Sequence, residues 1–143
     1  MNNSLSRSWT NIAGPLFAEQ SGDRSTVSQV LLHGFTQTSR SWDRYIDLLQ
    51  PEQSIIRFDA PGHANSTSVS ADLPTTATMV AEQGAKADYI GYSMGARLSL
   101  HIASLHPESV RRLVLISGSP GLRSPSERSA RVQSDEKLAL EIL

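Results

Sequence analysis

The stretch Tyr89-Ile90-Gly91-Tyr92-Ser93-Met94-Gly95-Ala96-Arg97 decides how this chain folds, because an apolar strand runs through G-x-S-x-G straight into a helical pattern. That order reads as a nucleophile elbow, with the serine on a sharp strand-to-helix turn. Side chains at Gly91 and Gly95 would collide with neighbouring backbone, and the turn holds Ser93 in a strained pose above the sheet. Two glycines around a serine also occur in many ordinary loops, so the surroundings of the motif have to settle the reading.

Downstream, Met94, Leu98, Ile102 and Leu105 recur at helical spacing, which predicts an amphipathic helix from Met94 to His106, stopped at Pro107. Val110 to Ser117 reads as a buried strand, broken by Gly118-Ser119-Pro120-Gly121. Ser124, Pro125 and Glu127 then form a helix start, with Ser124 as N-cap and Glu127 reaching back to it. That helix is polar through Asp135 and apolar at Leu138, Leu140, Ile142 and Leu143, with no stop signal.

Upstream, Asp88 to Gly91 is the strand that feeds the elbow, and Thr75 to Gln83 allows a short helix after a polar loop from Asn65 to Pro74. Ser54 to Phe58 is a strand ending at Asp59-Ala60-Pro61-Gly62-His63-Ala64. Before it, Ser41 can cap a helix whose first turn is Trp42, Asp43 and Arg44 and whose buried face is Tyr45, Ile46, Leu48 and Leu49. Val27 to Leu32 is a short apolar run of the kind that forms a strand buried on both faces, and it stops at His33-Gly34-Phe35. Ser8 to Glu19, broken by Gly14-Pro15, suits two short antiparallel strands.

Strands alternating with helices predict the α/β class, a doubly wound, mostly parallel sheet whose active site lies at the carboxyl ends of the strands. The His33, Asp59, Ser93 and Gly118 loops therefore converge on one rim. With 143 residues, 38% of them apolar and 19% charged, the chain suits one globular domain. Thirteen basic against fourteen acidic side chains give no reason to expect nucleic acid. No apolar run has the length to cross a bilayer, and Met1-Asn2-Asn3-Ser4 lacks the charged and apolar regions of a signal peptide, so the cytoplasm is the expected location. Without cysteine there is no thiolate nucleophile and no cysteine-based zinc site; neither metal nor cofactor is expected, and attention falls on serine.

Taken together, His33-Gly34-Phe35 after one strand, Asp59-Ala60-Pro61-Gly62-His63 after the next and the elbow after a third resemble the α/β-hydrolase fold over Val27 to Leu143. Residues 1–122 then read as the N-terminal part of its core and 123–143 as the first helix of a cap. In this fold the oxyanion hole is expected from the backbone N–H groups of Met94 and Phe35. Gly91 to Arg97, Leu115 to Leu122 and Glu127 to Asp135 are further similar to the 2-succinyl-6-hydroxy-2,4-cyclohexadiene-1-carboxylate synthases of menaquinone biosynthesis. The resemblance implies a lyase in which a histidine-activated serine, here Ser93, abstracts a proton and pyruvate is eliminated from a small polyanionic substrate. It implies substrate-binding roles for Arg97, Arg131 and Tyr92. Arg97 stands one helical turn after Ser93, where its guanidinium can fork a carboxylate. Arg131 has Glu127 and Asp135 four residues to either side, so surface ion pairs compete with a binding role. Arg123 and Arg128 read as surface charges, Trp42 as core, and His33 and His63 as braces of the rim loops.

The triad of this fold runs serine, acid, histidine along the chain, with both partners on later strands. After Ser93 the histidines are His101 and His106, inside the elbow's own helix, and Ala64 and Ala96 stand where glycine is usual. The expectation is a C-terminally truncated enzyme, inactive as 143 residues, whose unfinished sheet leaves the Val110 to Ser117 strand as an unpaired apolar edge. An ester or carbon–carbon-bond hydrolase, and a non-catalytic remnant or binding module, are the alternatives. Oligomeric state has no signal in the sequence.

Overall fold

A computed structural model describes residues 7–142; the Met1–Ser4 start and Leu143 lie outside the described residues. Its strands are β1 (Thr10–Asn11), β2 (Ala18–Ser21), β3 (Val27–Leu32), β4 (Ser54–Phe58), β5 (Ala87–Tyr92) and β6 (Val110–Ile116). They form one sheet in the order β1-β2-β4-β3-β5-β6. The β1–β2 and β2–β4 pairs are antiparallel, while β4, β3, β5 and β6 run parallel. The helices are α1 (Asp43–Ile46), α2 (Leu73–Gln83), α3 (Met94–Leu105) and α4 (Pro125–Ile142).

Period-2 alternation assigns each strand residue to one of two cores. Val30, Leu32, Ile56, Phe58 and Tyr89 pack with Ala77 and Val80 of α2 and with Leu98 and Ile102 of α3. Leu31, Ile55 and Ile90 point the other way, onto Trp42 and Ile46. A central sheet covered on both faces needs near-continuous apolar strands, which is what the runs at Val27 and Ser54 supply. One charge breaks the pattern. Arg57, on the Trp42 side of β4, is 1% exposed, lies over the Trp9 ring at 3.9 Å and is held by Glu19 and Asp43. Two carboxylates and an aromatic face compensate a guanidinium taken out of water.

Several local expectations change. Thr38, not Ser41, is the cap before α1: its hydroxyl accepts from the Arg40 amide, and a 3₁₀ turn over Ser39–Trp42 precedes the helix. The α-helical part is thus a single turn, and Leu48 is left 84% exposed. α2 starts two residues earlier than its threonines suggested, because Asp72 accepts from the Thr75 amide and Pro74 fits the first turn, where its missing N–H costs nothing. In α3 the buried positions include Ser99, which donates to the Gly95 carbonyl, whereas Leu105 is half exposed. β6 is a strand as expected but not a buried one. It is the sheet edge among the described residues, with Val114, Leu115 and Ile116 each about 40% exposed.

The β4 loop contains a non-glycine residue in the left-handed region, Ala64 at φ 43°. An alanine there costs about 1–2 kcal/mol relative to the right-handed basin. Glycine has no such penalty but loses more backbone entropy, so Ala64→Gly is expected to stabilise the chain by about 0.5–1 kcal/mol. A melting temperature raised by a few degrees would show it; an unchanged or lower one would mean that the loop bears no strain at this residue.

Candidate active site

The chain runs from β3 to β4 on one side, then crosses back to β5 on the other side of β3. The loops leaving β3 and β5 therefore diverge and open a crevice between them, the usual ligand position in an open α/β sheet. Ser93 is the first residue past β5 and sits there at φ 52°, ψ −108°, with α3 starting at the next residue. Its N–H donates to the Ile116 carbonyl at 2.9 Å, and its carbonyl receives the Ala96 and Arg97 amides. The glycines around it have a steric reason. A Cβ on Gly91 would run into the Gly95 carbonyl, and one on Gly95 into the backbone of Leu32 and His33. Ala96, at a position where the family pattern has glycine, is fully buried with its methyl against Gly118, and a Cβ on Gly118 would collide with it.

Every non-glycine residue at positive φ among those described lies in a loop at the carboxyl end of a parallel strand: Thr36 after β3, Ala64 after β4, Ser93 after β5 and Ser117 after β6. The strained backbone is thus gathered on one rim of the sheet. Phe35 and Met94 follow β3 and β5, the two strands whose loops open the crevice, and neither amide donates a hydrogen bond to the protein among the described residues.

A cavity of about 410 Å³ opens here, lined by Phe35, Leu73, Met94 and Arg97 on one side and by Arg131, Asp135, Leu138 and Ala139 of α4 on the other. The structure thus brings Phe35, Met94, Arg97 and Arg131 to one space. Ser93 and Tyr92 are not part of that lining. Tyr92 is 38% exposed, and its ring lies so close to Gly34 that a Cβ there would sit 2.8 Å from it. Arg97 has no ion-pair partner among the described residues, whereas Arg131 Nε is 2.7 Å from Asp135 Oδ1. Glu127 does not compete for Arg131; its carboxylate accepts from the Ser124 amide and hydroxyl, completing the expected capping box. Arg128 is more than a surface charge, since it donates to the Leu122 and Arg123 carbonyls at 2.9 Å and pins the approach to α4.

No histidine hydrogen-bonds the Ser93 hydroxyl among the described residues. His33 donates Nδ1–H to the Gly34 carbonyl and accepts the Ala60 amide at Nε2. His63 mirrors it, donating to the Pro61 carbonyl and accepting the Thr36 amide. His106 is engaged by Thr78 and Glu108, and His101 lines a second cavity, of about 200 Å³, with Arg97, Ser104 and Pro120. No group of three or more His, Asp or Glu side chains suited to a metal ion is found among the described residues.

Behind the rim, Asp59 of the motif after β4 is joined to Ser39, a residue to which no sequence pattern points. Asp59 is fully buried and accepts the Ser39 amide at 2.7 Å and both nitrogens of Asn65. Burial pushes its carboxyl up, but the hydrogen bonds from Ser39 and Asn65 outweigh this and hold it below the usual range. His33 is pushed down, chiefly by burial. The signs follow from proton counting. A histidine lowered on folding makes the unfolded chain the better proton binder below about pH 6.5, and a lowered aspartate does the same below about pH 4. Melting temperature is therefore expected to hold above pH 7, fall as pH drops below about 6.5, and fall again below about 4. A melting curve constant from pH 7 to pH 5 would contradict the first step.

The alpha/beta hydrolase fold matches residues 30–140. The chain belongs to the α/β-hydrolase family. Among its members it is 35% identical over 127 residues to a putative 2-succinyl-6-hydroxy-2,4-cyclohexadiene-1-carboxylate synthase of Bacillus subtilis, an alignment covering 82% of this chain and 46% of that protein. It is 39% identical over 93 residues to a pimeloyl-[acyl-carrier protein] methyl ester esterase of Yersinia enterocolitica, covering 64% and 36%. Of solved α/β-hydrolase structures, MenH from S. aureus superposes with a TM-score of 0.73 at 24% identity, over 84% of this chain and 49% of that one. The chain spans less than half the length of these curated relatives. Among the described residues, no helix is long and apolar enough to cross a membrane.

Proposed function

We propose that the whole protein is a pyruvate-eliminating lyase of the 2-succinyl-6-hydroxy-2,4-cyclohexadiene-1-carboxylate synthase type, with Ser93 as the active serine. The observation behind this reading is the cavity that Arg97 and Arg131 line together with Phe35 and Met94. Two guanidinium groups suit a substrate with more than one carboxylate, since each can make charge-assisted, forked hydrogen bonds. The two amides suit the charge that develops on a carbonyl-derived oxygen. The synthase relative, at 35% identity, supports the same chemistry. In this reading α4 begins the cap, residues 1–122 are core, and the acid and histidine that activate Ser93 are supplied from beyond residues 7–142.

Pyruvate release by the whole protein from the synthase substrate is the test; no release, together with rapid turnover of simple esters, would replace the lyase by a serine esterase. That second reading draws support from the 39% identity to a methyl ester esterase. Both readings use Ser93, so labelling of the serine does not separate them.

A further inference from the structure

We infer that His63 is a positioning residue for the Phe35 side of the oxyanion hole: its unprotonated Nε2 holds the Phe35-Thr36 turn in place, and protonation of that nitrogen releases it. The role given to Phe35 rests on the function proposed above; the holding of the turn does not.

Thr36 is left-handed at φ 62°, a conformation that a β-branched residue adopts only when its surroundings impose it. The bonds within the turn are local, Gly34 N–H to Gln37 Oε1 at 2.9 Å and Gln37 N–H to the Gly34 carbonyl at 3.1 Å. From the β4 loop, His63 Nε2 accepts the Thr36 amide at 3.3 Å, and its ring meets the Phe35 ring edge-on at 5.8 Å. The other ring nitrogen defines the tautomer. Nδ1 lies 2.9 Å from the Pro61 carbonyl, which can only accept, so Nδ1 bears the proton and Nε2 is the bare acceptor. Protonated His63 has no acceptor left, and Nε2–H would point at the Thr36 N–H, donor against donor.

Among the described residues, the titratable group facing His63 is His33, with ring centroids 5.1 Å apart, and behind it stands Asp59. His33 is buried with both ring nitrogens engaged, and burial disfavours its charged form. His63 is half-buried.

The test is an NMR titration of the full chain from pH 8 to pH 5, following the His63 ring together with the Phe35 and Thr36 amides. The expected result is that both amide signals move with the midpoint of the His63 ring and that protection of the Thr36 N–H from exchange, corrected for pH, falls at least about tenfold. In His63→Gln, whose amide oxygen accepts at every pH, neither amide should titrate. Amide signals that stay constant while the His63 ring titrates would overturn the proposal, and so would amides that still titrate in His63→Gln. In the whole enzyme, His63→Gln is expected to remove an acid limb from the kcat profile with KM little changed. A positive titration with an unchanged kcat profile would retain the His63 role and reject Phe35 as an oxyanion donor.

Discussion

Gly95→Ala is expected to destabilise the chain by at least about 3 kcal/mol, enough to lower its melting temperature by roughly 10 °C or more. The added methyl has nowhere to go. It would lie 2.5 Å from the Leu32 carbonyl carbon and 2.7 Å from the His33 oxygen, and these are backbone atoms at the end of a central strand. A flexible side chain could swing aside, but β3 is hydrogen-bonded to β4 on one side and to β5 on the other and has no free direction. Against a total stability of about 5–15 kcal/mol, such a loss is a large share. Gly62→Ala is the control. Gly62 is also a rim glycine, at φ 75°, but nothing lies within 4 Å of an added Cβ, so only the conformational penalty of about 1–2 kcal/mol applies. Equal melting temperatures for the two variants would mean that the elbow does not pack against β3 as described.

Ser93→Ala is expected to lower kcat of the whole enzyme by at least about a thousandfold, whichever of the two chemistries it performs. Arg97→Ala should act mainly on affinity for the anionic substrate, with a loss of about 10- to 100-fold in kcat/KM, corresponding to the 1.5–3 kcal/mol of a charged hydrogen bond. Activity near wild type in either variant would remove that residue from the proposed site. A third substitution separates function from fold. Ser93→Gly is expected to be as inactive as Ser93→Ala yet more thermostable, by up to about 1 kcal/mol, because glycine adopts φ 52° without strain. Stability gained by deleting the reactive group is the mark of a conformation kept for chemistry. The 143-residue chain itself is expected to turn over ester or lyase substrates at background rate, since none of its histidines hydrogen-bonds Ser93 among the described residues.

The fold was legible in the sequence where the signal was local. The apolar runs at Val27, Ser54 and Asp88 and the helical spacing from Met94 to Leu105 each follow from the period of a strand or a helix, and the capping box at Ser124 and Glu127 from spacing within one turn. The misreadings arose where two local signals competed. Ser41 and Thr38 are both acceptable caps, and the choice fell to Thr38 once Ser39 was drawn in by the buried Asp59 carboxylate. The Val110 run reads as both a buried strand and the apolar edge of an unfinished sheet; pairing to β5 alone makes it the edge among the described residues and leaves Val114, Leu115 and Ile116 exposed.

The sequence alone determined the order of strands and helices, the sharp strand-to-helix turn at Ser93 and the need for Gly91 and Gly95, because these depend on backbone geometry within a few residues. It also singled out Arg97 and Arg131, 34 positions apart. Tertiary structure alone decided that both line one cavity, that Arg57 is buried between Glu19 and Asp43, and that His33 and His63 each accept an amide from the other's loop. The reason is physical: a shared cavity or a hydrogen bond between loops depends on distances between chain segments far apart in sequence, which are set by how sheet and helices pack and not by any repeat along the chain.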